Sequence, residues 1–209
     1  MKVYLIRHFL NYKKHKHFYK IFMEVYLIRH GETEANLDKT KLLIFTKDGK
    51  KQVNLLANSL KNENVDLIIS SDLERAELTA KKIYLLNNNN PKFEITNELQ
   101  EIYRLIVGGA PKKGTRVNRF EEDLERANRF WNKLINLSLD KVFVVSHGNI
   151  IKFFISKVLE VNPQKTKNIV LNPASISIIE INNKGIQIKC LNNMNYILDR
   201  YDKETIYVD

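Results

Sequence analysis

A single cysteine, Cys190, stands among 209 residues, which excludes an intramolecular disulfide framework and any cysteine-based zinc cluster. A chain without disulfides is compatible with a reducing compartment. No run reaches the roughly 18 apolar residues that a membrane helix needs, so no membrane partner is expected. The N-terminus lacks the uninterrupted apolar core of a signal peptide, and its Lys, His and Tyr content is a poor match to an Arg/Ser-rich transit peptide, so the expected location is the cytoplasm. Acidic residues are missing altogether from residues 1–22, which carry six basic ones (Lys2, Arg7, Lys13, Lys14, Lys16 and Lys20). Of the formal net charge of +10, only +4 is therefore left for the other 187 residues. That excess suits an anionic substrate and does not demand nucleic acid.

What is present is ordinary in bulk, with 44% hydrophobic and 10% aromatic residues, in a length that favours one substantial core over two small ones. One internal repeat occurs: Met1-Lys2-Val3-Tyr4-Leu5-Ile6-Arg7-His8 returns as Met23-Glu24-Val25-Tyr26-Leu27-Ile28-Arg29-His30, identical at seven of eight positions. Only the second copy continues into Gly31-Glu32-Thr33; the first continues into Phe9 and lacks the glycine that would let a phosphate approach the backbone. Two copies do not make a solenoid. Residues 1–22 therefore read as a basic extension, a partial duplicate of 23–30, and residues 23–209 as the domain, with either Met1 or Met23 as the start of translation.

From Met23 onward strand-like and helix-like stretches alternate. Strands are expected over 24–29, 66–70, 92–96 and 141–146, with helices over 47–62, 73–86, 119–137 and 150–159. Residues 174–181 and 186–191 form a hairpin across Asn182-Asn183-Lys184-Gly185. The glycine-rich stretch 108–114 is a loop near the site. The fold class is α/β, a mixed, mostly parallel sheet of about six strands covered on both faces, with the hairpin adding antiparallel pairing.

Strands one and four end alike, in Ile28-Arg29-His30-Gly31 and Val145-Ser146-His147-Gly148. In open α/β sheets ligands gather at the carboxyl ends of strands, so two such endings bring two imidazoles to one crevice. The helix beginning near Asn149 points its amides there too, favouring an anion. One such histidine alone reads as a satisfied core residue; two in the same context read as a site. Arg75 falls in the first turn of a helix, where a cation opposes the helix dipole. Beside Arg29 it would complete a guanidinium clamp for phosphate oxygens.

Arg29-His30-Gly31-Glu32-Thr33 with Asn36 three positions on, Ser70-Ser71-Asp72-Leu73, Arg75-Ala76, Thr79-Ala80, Val145-Ser146-His147-Gly148 and the closing Leu191-Asn192-Asn193 occur in one order and spacing. Over most of residues 23–200 this set resembles the histidine phosphatase, or phosphoglycerate-mutase-like, superfamily. The resemblance implies a three-layer α/β/α sandwich and a phosphohistidine intermediate. It implies His30 as the nucleophile, with Arg29, Asn36, Arg75 and His147 as the pocket that holds the phosphate and spreads its charge, His147 belonging to the catalytic set as well. It places a general acid in a Leu-x-Glu segment, here Leu99-Gln100-Glu101, with Glu98 and Glu94 as competitors for Glu101. Residues 102–106 lack the glycine usually found soon after that acid. No metal and no cofactor are implied, because the arginines do the neutralising.

A phosphomonoesterase is the first reading, acting on a phosphorylated small molecule or a phosphoprotein. Phosphoglycerate mutases of the superfamily carry an insertion after the acid that no segment following Glu101 supplies. The run Val107-Gly108-Gly109-Ala110-Pro111 with Glu121-Glu122-Asp123 is instead more similar to the branch that includes mitochondrial serine/threonine protein phosphatases. Mutase activity is the alternative among enzymes. A non-catalytic basic module that uses residues 1–22 to hold nucleic acid or acidic partners is the alternative outside them, and nucleic acid is not the expected partner. The sequence leaves the oligomeric state open.

Overall fold

Parallel pairing of two strands that are far apart in sequence sets the architecture. In the computed structural model, which describes residues 22–37, 44–102 and 120–196, β1 (Phe22–Arg29) lies beside β4 (Lys141–Ser146). Their register runs from Glu24 opposite Lys141 to Arg29 opposite Ser146. With β2 (Leu67–Ser71), β3 (Lys92–Thr96), β5 (Ile176–Asn182) and β6 (Gly185–Asn193) they form one sheet in the order β3-β2-β4-β1-β5-β6. β1 to β4 are mutually parallel, and β5 and β6 are antiparallel. The expected mixed, mostly parallel six-stranded sheet is the one observed. Residues 1–21 of the extension and the loop 108–114 fall outside the described residues, while Phe22 and Met23 belong to β1.

The strands alternate their faces with period two. Ile28, Ile68, Phe143 and Val145 face α2 (Lys47–Ser59) and α3 (Glu74–Leu86), while Val25, Leu27, Leu67, Ile69, Val142 and Val144 face α4 (Phe120–Leu134) and α5 (Gly148–Val158). Two helical layers on one sheet give the α/β/α sandwich. The short α1 (Glu34–Leu37) belongs to the loop after β1.

Helix ends explain themselves locally. Thr46 caps α2 by accepting the Gly49 N–H at 2.8 Å. That helix stops at Ser59 rather than running to 62, where the Ser59 hydroxyl and the Asn58 amide turn back onto the carbonyls of Leu56 and Asn54. α4 opens with Glu121, Glu122 and Asp123 and closes with Lys133, as the helix dipole favours. It buries Ala127, Phe130, Trp131 and Leu134, and Phe130 and Trp131 stack on Phe154 of α5 with ring centroids 5.8 and 5.6 Å away. Gly185, at φ +128°, makes the β5–β6 turn in a conformation that side chains avoid.

Candidate active site

The register of β1 and β4 delivers the two histidines to neighbouring positions. His30 follows Arg29 and His147 follows its partner Ser146, so the rings meet with centroids 5.2 Å apart and planes at 60°. His30 is held along its backbone: its N–H donates to Ser146 O at 2.9 Å and its carbonyl accepts from Ala174 N at 3.0 Å. Both imidazoles are buried, His30 at 3% exposure and His147 at 0%.

The His30 ring has one tautomer available. Nδ1 lies 2.7 Å from the Gly31 carbonyl oxygen, which can only accept, so Nδ1 carries the proton. Nε2 then keeps its lone pair, and Arg75 Nε donates to it at 3.1 Å. Burial and then the Arg75 charge push the imidazole's pKa from 6.5 down to about 3, against a smaller upward effect of the Gly31 carbonyl. The ring is therefore neutral at physiological pH. His147 is likewise held well below its ordinary value by burial, by His30 and by the arginines. Its Nε2 is 3.0 Å from Ser71 Oγ at the end of β2.

The two arginines come from different elements. Arg75 lies in the first turn of α3, buried where a cation is costly, and the Thr79 hydroxyl one turn on donates back to its carbonyl at 2.8 Å. The same Thr79 hydroxyl accepts from Gly31 N at 3.2 Å, tying α3 to the loop after β1. Arg29 ends β1, its Nη1 donating to Leu171 O. Arg29 Nε and His147 Nδ1 are buried atoms without a hydrogen-bond partner among the described residues. Buried polar atoms are nearly always satisfied, so two orphans in one crevice are a strong pointer to a polar ligand.

Glu101 is placed from two sides. Its Oε1 accepts from the amides of Ile102 (3.0 Å), Asn149 (3.0 Å) and Ile150 (3.2 Å), the last two in the first turn of α5. That helix has His147 at its N-cap position with no side-chain cap of its own, so Glu101 supplies the cap from 48 residues away. Burial raises the carboxyl's pKa, opposed by the Ile102 and Ile150 amides and then by Arg75 and Arg29. Glu98 instead pairs with Lys133 at 2.7 Å on the surface, and Glu94 is an exposed residue of β3. Asn36 is on the exposed side of α1, its Oδ1 accepting from Thr33 N at 2.8 Å and Thr33 Oγ1 at 3.0 Å. His30, Arg75, His147, Arg29 and Glu101 thus converge, and Asn36 is engaged with Thr33.

Gly31 has a packing reason beside the one its sequence suggests. A Cβ there would sit 2.4 Å from Val53 Cγ2 and 3.1 Å from Gly49 O, so the residue is small because α2 packs on it. Sequence reasoning assigned no role to Ser71, although it sits in the quoted Ser-Ser-Asp-Leu stretch, and it passed over Arg126, whose Asp123-x-x-Arg126 spacing reads as a surface pair. Among the described residues no cluster of His, Cys, Asp and Glu is placed to hold a metal ion.

The model of the histidine phosphatase superfamily (branch 1) matches residues 25–114 and 104–194. The chain belongs to the histidine phosphatase superfamily. Among curated relatives, the adenosylcobalamin/alpha-ribazole phosphatase of Escherichia coli is 26% identical over 200 residues, covering 82% of this chain and 96% of its own. A Yersinia pestis protein named "Probable phosphoglycerate mutase GpmB" is 28% identical over 184 residues, covering 76% and 85%. The solved alpha-ribazole phosphatase of Shigella flexneri superposes with a TM-score of 0.68 at 25% identity, covering 82% and 96%. The phosphoserine phosphatase of Entamoeba histolytica, solved with 3-phosphoglyceric acid, gives 0.64 at 24%, covering 84% and 99%, a likeness of fold. Both His-Gly strand ends lie within the residues that the family model matches, and phosphatases stand among the relatives.

Proposed function

We propose that the protein hydrolyses phosphomonoesters through a phosphohistidine on His30. The observation that carries this is the His30 ring itself: Nδ1–H fixed on the Gly31 carbonyl, and a bare Nε2 lone pair facing Arg75 beside Arg29 and His147. Incoming phosphate oxygens take over the donors of Arg75 and engage Arg29 Nε and His147 Nδ1. Nε2 attacks phosphorus, the phosphorus–oxygen bond to the leaving group breaks, and Glu101 gives that oxygen its proton. The positive charge that develops on the ring rests against the Gly31 carbonyl, and the arginines spread the charge of the phosphoryl oxygens. Water then attacks the phosphohistidine and yields a proton to the Glu101 carboxylate, the phosphorus–nitrogen bond breaks, phosphate leaves, and both Nε2 and the acid form of Glu101 are restored. Three amides on Glu101 Oε1 make it the carbonyl-like oxygen, so the proton to be donated sits on Oε2. The raised pKa of that carboxyl favours its acid form.

In this reading residues 1–22, apart from Phe22 of β1, are an extension outside the catalytic domain and the protein works in the cytoplasm on small phosphorylated substrates, the kind named for its phosphatase relatives, or on phosphoprotein. No helix among the described residues is long and apolar enough to cross a membrane. The test compares His30→Ala with His8→Ala: the first abolishes turnover and the acid-labile phosphoenzyme while circular dichroism is unchanged, and the second does nearly nothing. Equal losses would overturn the choice of copy. The mutase reading draws on the relatives so named; isomerisation of 3-phosphoglycerate faster than hydrolysis of an aryl phosphate would favour it.

A further inference from the structure

Outside the histidines and the phosphate clamp, one guanidinium gathers an unusual number of backbone acceptors. Arg126, on α4, donates through Nη1 to the carbonyls of Asn97 (3.1 Å), Glu98 (2.9 Å) and Gln100 (2.9 Å). Its Nη2 lies 3.5 Å from Glu101 O and donates to Asp123 Oδ1 at 2.9 Å, and its side chain is only 13% exposed. The remaining carbonyl of this turn, Leu99 O, accepts from Ser146 Oγ at 2.7 Å at the end of β4. Every backbone acceptor from Asn97 to Glu101 is therefore bound from outside the segment that makes it. Four of them converge on a single side chain.

We infer that Arg126 is the positioning residue for Glu101, fixing the backbone of the 97–101 turn so that the carboxyl, anchored through Oε1 on α5, presents Oε2 to the leaving group. The inference rests on Glu101 being the general acid. A planar guanidinium suits the task because its donors are rigidly spaced, and no ammonium can span four carbonyls. Asp123, one turn earlier on α4, accepts from the same guanidinium and restrains it from the other side. Without the brace the carbonyls of this turn retain only the Ser146 hydroxyl on Leu99 O and the Gln100 amide on Asn97 O. The other holds are side-chain bonds, of Thr96 to the Glu98 amide, of Gln100 to Asp72, of Glu98 to Lys133 and of the Glu101 carboxyl to α5. A displacement of about an ångström at the acid is enough to cost on the order of a hundredfold in rate.

The experiment measures kcat and KM on 4-nitrophenyl phosphate and on a simple alkyl phosphate for wild type, Arg126→Met, Arg126→Lys, Glu101→Gln and the Arg126→Met/Glu101→Gln pair. Arg126→Met is expected to lower kcat on the alkyl ester at least tenfold more than on the aryl ester, with KM little changed. Arg126→Lys recovers part of that loss, and the pair is no more selective than Glu101→Gln alone. Equal losses on both esters with a lowered melting temperature in both Arg126 variants would make Arg126 a structural brace only and overturn the inference. Should Glu101→Gln lack leaving-group selectivity, the general-acid reading falls and takes this one with it. Selectivity in Glu101→Gln without any in Arg126→Met overturns the positioning role alone.

Discussion

Replacing His30 by asparagine is expected to make the protein less sensitive to acid, and the size of the effect follows from the ring's surroundings. His30 is 3% exposed, donates from Nδ1 to Gly31 O and accepts from Arg75 at Nε2, so a second proton on the ring would have to displace a guanidinium and remain buried beside it. Its pKa falls from 6.5 to about 3 on folding. The sign is that of a depressed group: the folded state is unpenalised above the ordinary value, and stability is lost as pH falls from there toward the folded value, because the unfolded chain takes up the proton first. At about pH 4.5, two units below the ordinary value, the unfolded imidazole is almost wholly charged and the folded one almost wholly neutral. The difference is about 3 kcal/mol, against a total stability of roughly 5 to 15 kcal/mol for a domain. Urea unfolding near neutral pH and at about pH 4.5 measures it. His30→Asn removes this contribution, so the loss between the two pH values is about 3 kcal/mol smaller than in the wild type, while His147 remains acid-sensitive in both proteins through its burial and the arginines around it. Identical losses in the two proteins would refute the buried neutral imidazole, and with it the bare Nε2.

Gly31→Ala is expected to destabilise by about 1 to 3 kcal/mol through overpacking against Val53, and adding Val53→Ala to it should cost less than Val53→Ala does alone; thermal melts of the four proteins decide this, and additive losses would mean the crowding lies elsewhere. Ser71→Ala takes away the hydroxyl on His147 Nε2 and is expected to lower kcat/KM by about tenfold, the worth of one hydrogen bond. That loss should be equal on aryl and alkyl esters, which separates a histidine of the phosphate pocket from the Glu101 and Arg126 pair.

Why so much of the site is legible comes down to how a parallel sheet converts sequence into space. Beyond residue 22 the chain has two histidines, and each is followed by glycine at the end of an apolar run. Adjacent parallel strands in register place their ends together, so equivalent positions after β1 and β4 become neighbours without any further information. Arg75 is legible for the opposite reason: it breaks a local rule, a cation in a first helical turn, and rule-breaking residues gather at sites. Arg126 breaks no rule. Its spacing from Asp123 satisfies a surface helix, and only the way α4 packs over the 97–101 turn gives its donors their acceptors. Glu101 is half legible, since its identity as an acid can be read but its Oε1 cap on α5 depends on an amide 48 residues away.

The duplicated strand shows the same limit from the other side. Eight residues that differ at one position cannot by themselves say which copy enters the sheet. The neighbour does: a single methyl group after His30 would already meet Val53 at 2.4 Å, and the first copy has Phe9 in that place. Threading residues 1–8 through β1 would drive a phenylalanine into α2 where no Cβ fits, an overpacking far beyond what a core absorbs by local adjustment. The helix that selects the copy is built from residues 47–59, so which histidine takes the place of the proposed nucleophile is decided by packing on the face of the sheet, one residue past the histidine.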